Sequence, residues 1–359
     1  MNLGKKRNSG DKPLSENLIS QQKLFSPGKR RLLWIVLLAL LVIPLVDILI
    51  YSGIIPIRLF SKIDPRAFSP RILIPETLKM PGRDQEPQIQ KHFEGTNQEF
   101  SVYRLSGREK GPALLIIAGI HGDESGGYLT AERYLNLKLK KGTLIMVPRL
   151  NRPAIIAKKR FGLAGDMNRK FGQAEARNQN DPDLKVVNVV KQLIGQADYI
   201  LNLHQGSGFY SPHWINSARN PLCWGQSNVI DMLVFDLPNG EKIEMEKIAE
   251  NIARQANLDI RSASYYFKIN NTNTASPDSL HKEQRKSLTY YALTDQHKVA
   301  LGLEATKNCA LPRAICFLTV AINAVMNEIG VIPEEFPSEN STRIAEELLN
   351  INNVSPSAP

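Results

Sequence analysis

The stretch ALLIIAGIHGDESGG, residues 113–127, decides the fold of this 359-residue chain. It begins with a run, residues 113–120, that is apolar on both faces, as expected of a central strand in a sheet covered on two sides. Polar residues and glycines follow at once, and glycines let the backbone bend sharply and approach a ligand closely. The order of buried strand and polar turn predicts chemistry at the carboxyl end of the strand, as in open α/β sheets.

The rest of the globular part repeats this alternation of short apolar runs and amphipathic stretches. Further strands are predicted over residues 144–147, 199–203 and 299–303. Helices are predicted over residues 127–139, 184–193, 241–257, 281–293 and 313–328. The pattern predicts an α/β fold in which a central mixed, largely parallel twisted sheet is flanked by helices on both faces.

An apolar segment precedes this domain. Residues 32–51, LLWIVLLALLVIPLVDILIY, carry Asp47 as their only charge and as a helix span roughly 30 Å, the thickness of a bilayer core. Lys29, Arg30 and Arg31 lie immediately before it and favour a cytoplasmic N-terminus. We therefore expect a single-pass inner-membrane protein whose globular domain lies on the periplasmic side.

Two other interpretations of the segment are weaker. A cleavable signal peptide is disfavoured because no good small-x-small cleavage site follows the segment. A buried core helix is disfavoured because every face of the segment is apolar.

Composition and charge define the remaining organisation. We divide the chain into a basic cytoplasmic tail (1–31), the membrane helix (32–51), a linker (52–90), a globular domain (91–330) and a polar C-terminal tail (331–359). The net charge is +10, of which residues 1–31 carry +6. No basic run interleaved with aromatics occurs elsewhere, so no nucleic-acid partner is expected.

Cysteine usage excludes a four-thiolate metal site. Cys223, Cys309 and Cys316 have neither CxxC spacing nor an even count. A bridge between Cys309 and Cys316 in an oxidising compartment stays open beside three free thiols.

Two histidines and one glutamate follow predicted strands and form a candidate metal site. His121 and Glu124 come from one turn in H-x-x-E spacing, and His204 follows the run 199–203 within LNLHQGSGFY. Two imidazoles and a carboxylate leave tetrahedral Zn²⁺ with one open position for water, as in catalytic sites. Taken singly, each motif also fits a strand-end turn with structural or surface side chains.

Further residues fit the chemistry around such a metal. Glu304, in VALGLEATK, is expected to accept a proton from water and pass it on, unless it pairs with Lys307 or a nearby arginine. The segment RFGLAGDMNRKFG, residues 160–172, is predicted to be a long loop. In it Arg169 and Asn168 are expected to bind a substrate carboxylate, and Arg160 to stabilise an oxyanion. The alternative is a solvated basic loop.

These motifs, in this order over residues 93–328, resemble the metallocarboxypeptidase superfamily. GDESGG, GDMNRKF, LHQGSGFY, NPLCWGQS and EQRKSLTYYAL look like the peptidoglycan DL-carboxypeptidases that determine cell shape in helical bacteria. The resemblance implies that His121, Glu124 and His204 are zinc ligands and that Glu304 is the general base. It also implies that Asn168 and Arg169 bind the substrate carboxylate and that Arg160 assists.

Under this resemblance residues 91–330 form a zinc carboxypeptidase domain whose partner is a peptidoglycan stem peptide. The implied reaction cleaves a muramyl tripeptide to a dipeptide and releases diaminopimelate. Two departures from the family pattern are visible. Some members have Gln where this chain has His121. Members also tend to continue into C-terminal β-domains, whereas about thirty polar residues follow Glu328 here. Imidazole is the stronger donor and is expected to bind zinc more firmly.

Two other functions fit parts of the same pattern. A zinc deacylase of the aspartoacylase or succinylglutamate desuccinylase type shares the triad and the base, but the membrane anchor counts against a cytosolic enzyme. A non-catalytic wall-binding protein is disfavoured because the metal ligands and Glu304 are all present.

Overall fold

The computed structural model describes residues 86–172 and 180–336. The chain divides into two units, Met1–Met80 and Pro81–Pro359, and all described residues belong to the second. The predicted basic tail and membrane helix, with most of the linker and the C-terminal tail, lie outside the described residues, so those predictions stay predictions. In the part that is described, no helix is both long and apolar enough to span a bilayer.

The described residues form thirteen strands and six α-helices. The strands are β1 Gln88–His92, β2 Phe100–Ser106, β3 Glu109–Ala118, β4 Leu139–Val147, β5 Tyr199–Gly206, β6 Phe209–Tyr210, β7 Arg219–Asn220, β8 Ser227–Ile230, β9 Phe235–Asp236, β10 Lys242–Ile243, β11 Lys268–Asn271, β12 Val299–Thr306 and β13 Ile332–Pro333. The helices are α1 Ser125–Glu132, α2 Arg152–Ala157, α3 Pro182–Gly195, α4 Met245–Leu258, α5 Leu288–Thr294 and α6 Leu311–Ile329.

Nine of these strands form one sheet in the order β1-β2-β4-β3-β5-β12-β8-β11, with β13 beside β4. The four strands expected from apolar runs are β3, β4, β5 and β12, and they lie side by side and parallel at its centre. The prediction of a largely parallel sheet was wrong. Outside this centre, β8 and β11 are parallel, and four pairings of the described strands within this sheet are antiparallel.

The outer strands gave no apolar signal because they are either exposed or rich in polar residues. Strand β1, QIQKH, is exposed along most of its length, and β8 and β11 read SNVI and KINN. The direction of each outer strand depends on its pairing with distant segments, which the sequence of a short polar strand does not indicate.

Helices cover both faces of the sheet, as predicted. On one face α1, α4 and α6 pack through buried residues such as Ala131, Ala249 and Ile322. On the other face α3 and α5 pack through Val190 and Ala292. The sheet therefore has a separate hydrophobic core on each side.

Two predicted helices differ in extent from those observed. Helix α1 ends at Glu132, and Leu139 already begins β4. The helix predicted over residues 281–293 is split into a 3-10 helix, Lys282–Lys286, and α5. Ser287 lies between the two, and its side chain accepts a hydrogen bond from the backbone N–H of Tyr290 at 3.1 Å, which caps α5 and starts it anew.

Candidate metal centre

The turn after β3 fixes the position of His121. Gly119 has a φ of +68°, which favours glycine, and reverses the chain after Ala118. A Cβ on Gly122 would overlap the backbone of Ala154, so the close approach of the turn to α2 requires glycine. The amide of Asn151 donates to the carbonyl of Ile120 at 3.1 Å. His121 is consequently held in the interior, 2% exposed.

Glu124 lies at the N-terminus of α1, yet its carboxylate does not cap that helix. It faces the two histidines instead, with His121 Nδ1 at 3.0 Å from Oε1 and His204 Nδ1 at 2.8 Å from Oε2. The backbone N–H of Gln205 also donates to Oε2 at 3.1 Å. The position that begins the helix thus supplies a site ligand rather than a cap.

The three side chains fit a metal ion. Their ligand atoms all lie within 4.8 Å of one another, and all three residues are buried. Neutral imidazole nitrogens and a carboxylate are all electron-pair donors, which is the ligand set of a divalent cation such as Zn²⁺. Burial raises the pKa of Glu124, but the neighbouring charges of His204 and His121 outweigh it and hold the pKa well below its ordinary value.

Asp166 orients His121 from the other side of the ring. Its Oδ1 lies 3.0 Å from His121 Nε2, so an Nε2–H donated to Asp166 leaves Nδ1 free to bind a metal. Burial raises the pKa of Asp166, but the hydrogen bond and charge of His121, with the charges of Arg169 and Arg160, lower it to about 2. Asp166 was not predicted from the sequence, although it lies two positions before Asn168 and a metal-binding histidine usually has such a partner.

Glu304 lies beside His204, its register partner on β12 and β5. Burial raises its pKa well above the ordinary value, and the charge of Glu124 adds to this. Its Oε2 is buried and has no hydrogen-bond partner among the described residues. The alternative ion pair with Lys307 is not formed, because the Lys307 ammonium binds Asp123 at 2.7 Å.

Arg160 lies at the same centre. Its Nη1 is 3.0 Å from Glu124 Oε1, and its Nη2 is 3.6 Å from Asp166 Oδ2. The side chain is 42% exposed, so the guanidinium borders solvent as well as the buried carboxylate. This position is compatible with contact to a substrate oxygen.

Asn168 and Arg169 are carried by a 3-10 helix, Met167–Arg169, inside the predicted loop. The Asp166 side chain accepts from the backbone N–H of Asn168 at 3.0 Å and caps this turn. Asn168 Oδ1 accepts a hydrogen bond from the backbone N–H of Leu288 at 3.1 Å. The amide nitrogen Nδ2 therefore points away from that contact. Arg169 Nη1 donates to the Asn168 carbonyl at 3.0 Å.

A buried ion-pair cluster anchors this turn. Lys170 Nζ binds Asp181 at 2.6 Å and Asp183 at 2.9 Å, and all three side chains are almost fully buried. Asp181 also caps α3 by accepting from the backbone N–H of Asp183. The residue after Arg169 is therefore fixed to the start of α3.

All seven predicted site residues line one cavity of about 340 Å³. Other lining residues were not predicted from the sequence, among them Asn202, Gln205, Ser207, Trp224, Val229, Gln284 and Thr289. Asn202 lies two positions before His204, a spacing that puts both side chains on one face of a strand. Trp224 lies in an irregular segment, where no periodicity marks the side of the chain that faces the site.

Comparison with known proteins gives one matching family. The family model described as "Carboxypeptidase controlling helical cell shape catalytic" matches residues 96–339 of the chain. A search of the curated proteins gives no match.

Solved structures of one bacterial protein are similar to the chain. Tripeptide-bound Csd4, a cell shape determinant protein from Helicobacter pylori, has a TM-score of 0.62 and 29% identity, covering 71% of this chain and 61% of that one. The mDAP-bound form of Csd4, described as a D,L-carboxypeptidase, has a TM-score of 0.58 and 31% identity, covering 68% and 56%. The chain therefore spans about 60% of the length of the Csd4 chain.

A desuccinylase/aspartoacylase protein from Rhodobacter sphaeroides is more remote. It has 16% identity and a TM-score of 0.46, covering 71% of this chain and 67% of that one. This level of similarity carries no argument about function.

The contact between Asp166 and His121 generates a prediction about metal affinity. Asp166→Asn should weaken Zn²⁺ binding by roughly 10- to 100-fold, because such partners orient the ligand and raise its basicity. Competition with a chromophoric chelator measures the dissociation constant. Asp259→Asn, at an exposed position, is the matched control and should bind Zn²⁺ as the wild type does. Equal affinity in the two variants would contradict the role of Asp166.

The burial of Asp231 generates a prediction about pH. Burial raises its pKa to about 6, despite the hydrogen bond from Thr274 and the charge of Arg169. The folded state therefore binds the proton more tightly than the unfolded state, and the protein loses stability as the pH rises from about 4 to about 6.

We expect Asp231→Asn to remove this loss. At pH 8 the variant should have a free energy of unfolding up to about 3 kcal/mol higher than the wild type, and near pH 4 the two should be close. Urea unfolding at both pH values measures the difference. If the variant loses as much stability between pH 4 and pH 8 as the wild type does, the raised pKa of Asp231 is refuted.

Proposed function

Because the chain belongs to the family of carboxypeptidases that control helical cell shape, we propose that it is a zinc-dependent peptidoglycan carboxypeptidase. The proposed substrate is a muramyl tripeptide, from which the enzyme releases diaminopimelate and leaves a dipeptide. Csd4, which is 29–31% identical, has been solved with a tripeptide and with mDAP bound. Those ligands support the proposed substrate class for this chain.

One observation carries the proposal: Arg169 and Asn168 line the same cavity as the metal triad and Glu304. A guanidinium binds a carboxylate through two parallel hydrogen bonds, and the adjacent amide N–H adds a third donor. A free C-terminal carboxylate bound there leaves the last peptide bond of the substrate near the triad. This arrangement supports an exopeptidase.

The reaction needs a proton carrier, and Glu304 is the residue proposed for it. When bound by His121, Glu124 and His204, a zinc ion would polarise the scissile carbonyl and lower the pKa of water. Glu304 takes a proton from the attacking water and gives it to the leaving nitrogen as the C–N bond breaks. Its raised pKa suits both transfers, because the carboxyl must hold the proton between them.

Arg160 is proposed to stabilise the oxyanion. Its guanidinium contacts Glu124 Oε1 at 3.0 Å and is 42% exposed, so it lies between the triad and solvent. Negative charge develops on the former carbonyl oxygen as water attacks, and a cation beside it lowers the barrier.

The two alternative functions have weaker support. An N-acyl amino acid deacylase would use the same triad and Glu304, but the structural likenesses to that class are too remote to support it. A non-catalytic wall-binding protein would not require Glu304 with a buried, unpaired oxygen beside the triad.

The proposed location follows from the sequence alone. The apolar segment at residues 32–51, preceded by three basic residues, would hold the enzyme in the inner membrane with its catalytic domain in the periplasm. Peptidoglycan lies on that side, so the location agrees with the proposed substrate.

We predict that Glu304→Gln lowers kcat for muramyl tripeptide by roughly 10²- to 10⁴-fold, the usual contribution of a general base. The zinc-loaded full-length protein should release free diaminopimelate, measured by chromatography. Glu328→Gln, on the opposite side of the sheet with Asn251 and Gln255, is the matched control and should retain activity. Unchanged activity in Glu304→Gln would overturn the mechanism.

Two substrates separate the candidate functions in the same assay. Release of diaminopimelate from the tripeptide supports the carboxypeptidase, and hydrolysis of N-acetylaspartate without that release supports the deacylase. A zinc-loaded wild type that binds the tripeptide and cleaves neither substrate indicates a wall-binding role.

The proposed location has its own test. A reporter enzyme that is active only in the periplasm, fused after the catalytic domain, should be active in the intact chain. Deleting residues 32–51 should abolish reporter activity and release the fusion from the membrane fraction. A fusion that stays inactive with the segment present would exclude the proposed orientation.

A further inference from the structure

A row of side chains crosses the sheet one step below the catalytic residues. Asn202 on β5 pairs with Gly302 on β12, and Gly302 pairs in turn with Val229 on β8. All three line the cavity. Asn202 precedes His204 by two residues, and Gly302 precedes Glu304 by two residues. Both therefore lie on the same face of the sheet as His204 and Glu304, about 7 Å nearer the start of their strands. We call Asn202, Gly302 and Val229 the floor row.

Asn202 is the unusual member of this row. It is 1% exposed, and its Oδ1 is buried without a hydrogen-bond partner among the described residues. A buried polar group left unpaired is destabilising, and most such groups are paired. An unpaired amide oxygen in a cavity wall therefore indicates a group that a ligand satisfies.

Gly302 leaves room beside this amide. A Cβ there would lie 3.4 Å from Val229 Cβ and 3.8 Å from the carbonyl oxygen of Asn202, which are ordinary contacts. Neither backbone packing nor a positive φ requires glycine at this position. The missing side chain thus widens the cavity next to Asn202.

Polarity continues beyond the cavity on the same face. Asn270 pairs with Val229 in register, and its Nδ2 is buried and unpaired within the part of the chain that the structure describes. Asp231, two residues after Val229, likewise has a buried Oδ2 without a partner there. The polar character of the floor row at Asn202 therefore continues on the same face beyond Val229.

We propose that the floor row receives the side chain of the released residue and that Asn202 selects a side chain ending in a polar group. The unpaired Oδ1 of Asn202 is a hydrogen-bond acceptor. The far end of a diamino dicarboxylic acid carries an ammonium, which can donate to this oxygen. An apolar side chain of the same length leaves Asn202 unpaired, so the site rejects it.

This inference rests on the proposed function and assigns a specificity residue within that site. The test uses two tripeptides, one ending in diaminopimelate and one ending in norleucine, which has an apolar side chain. Asn202→Leu keeps the number and branching of the side-chain heavy atoms and removes the unpaired amide oxygen, so the variant should fold as stably as the wild type.

The wild type should prefer the diaminopimelate peptide. Asn202→Leu should reduce the ratio of the two kcat/KM values by roughly 10- to 100-fold, mainly through KM, which corresponds to loss of hydrogen bonds to a charged group. Gly302→Ala should raise KM for the diaminopimelate peptide by a smaller factor, because a methyl group takes part of the space. An unchanged ratio in Asn202→Leu overturns the proposal.

Asn228→Leu is the matched control. Asn228 neighbours Val229 but faces α4 on the other side of the sheet, where its Nδ2 donates to the Ala249 carbonyl at 3.0 Å. This variant should lose stability and keep the wild-type ratio. A ratio that falls equally in Asn228→Leu and Asn202→Leu reflects general damage and contradicts a specific role for Asn202.

A binding measurement separates this inference from the proposed function. Free diaminopimelate is titrated calorimetrically into the zinc-loaded wild type and into Asn202→Leu. If neither tripeptide is cleaved, the proposed function fails. The floor row is still supported if diaminopimelate binds the wild type at least 10-fold more tightly than the variant, and is rejected if the two affinities are equal.

Discussion

The buried carboxylate of Glu124 is the constraint on which the site depends. Both of its oxygens are bonded, by His121, His204, Arg160 and the backbone N–H of Gln205. Burying an ionised carboxylate costs several kcal/mol unless charged or hydrogen-bonding groups compensate. The turn after β3, the end of β5 and the loop that carries Arg160 must therefore all meet at the start of α1.

The parallel centre of the sheet makes this meeting possible. Strands β3, β5 and β12 are neighbours and parallel, so their carboxyl ends lie at one edge although residues 118 and 299 are far apart in the chain. His204 and Glu304 share a register position at that edge. Two rigid, hydrogen-bonded strands hold such a pair more precisely than loops do.

The residues proposed to bind the substrate carboxylate lie in a different part of the chain. Arg169 and Asn168 belong to a short helix that is fixed at three points: the Asp166 cap, the contact to Leu288 and the buried Lys170 cluster. A guanidinium in a constrained turn loses less conformational freedom on binding than a mobile one. The metal triad and the carboxylate-binding pair are thus built on separate supports that open into one cavity.

The sequence by itself determined the centre of the sheet and seven side chains that line one cavity, since strands buried on both faces appear as apolar runs and polar residues follow their carboxyl ends. The tertiary structure decided the direction of the outer strands, the contact of Asp166 with His121, the binding of Lys307 by Asp123 and the unpaired amide of Asn202. Each of these is set by pairing between distant segments. Local sequence records whether a side chain is buried, but not which distant group it meets.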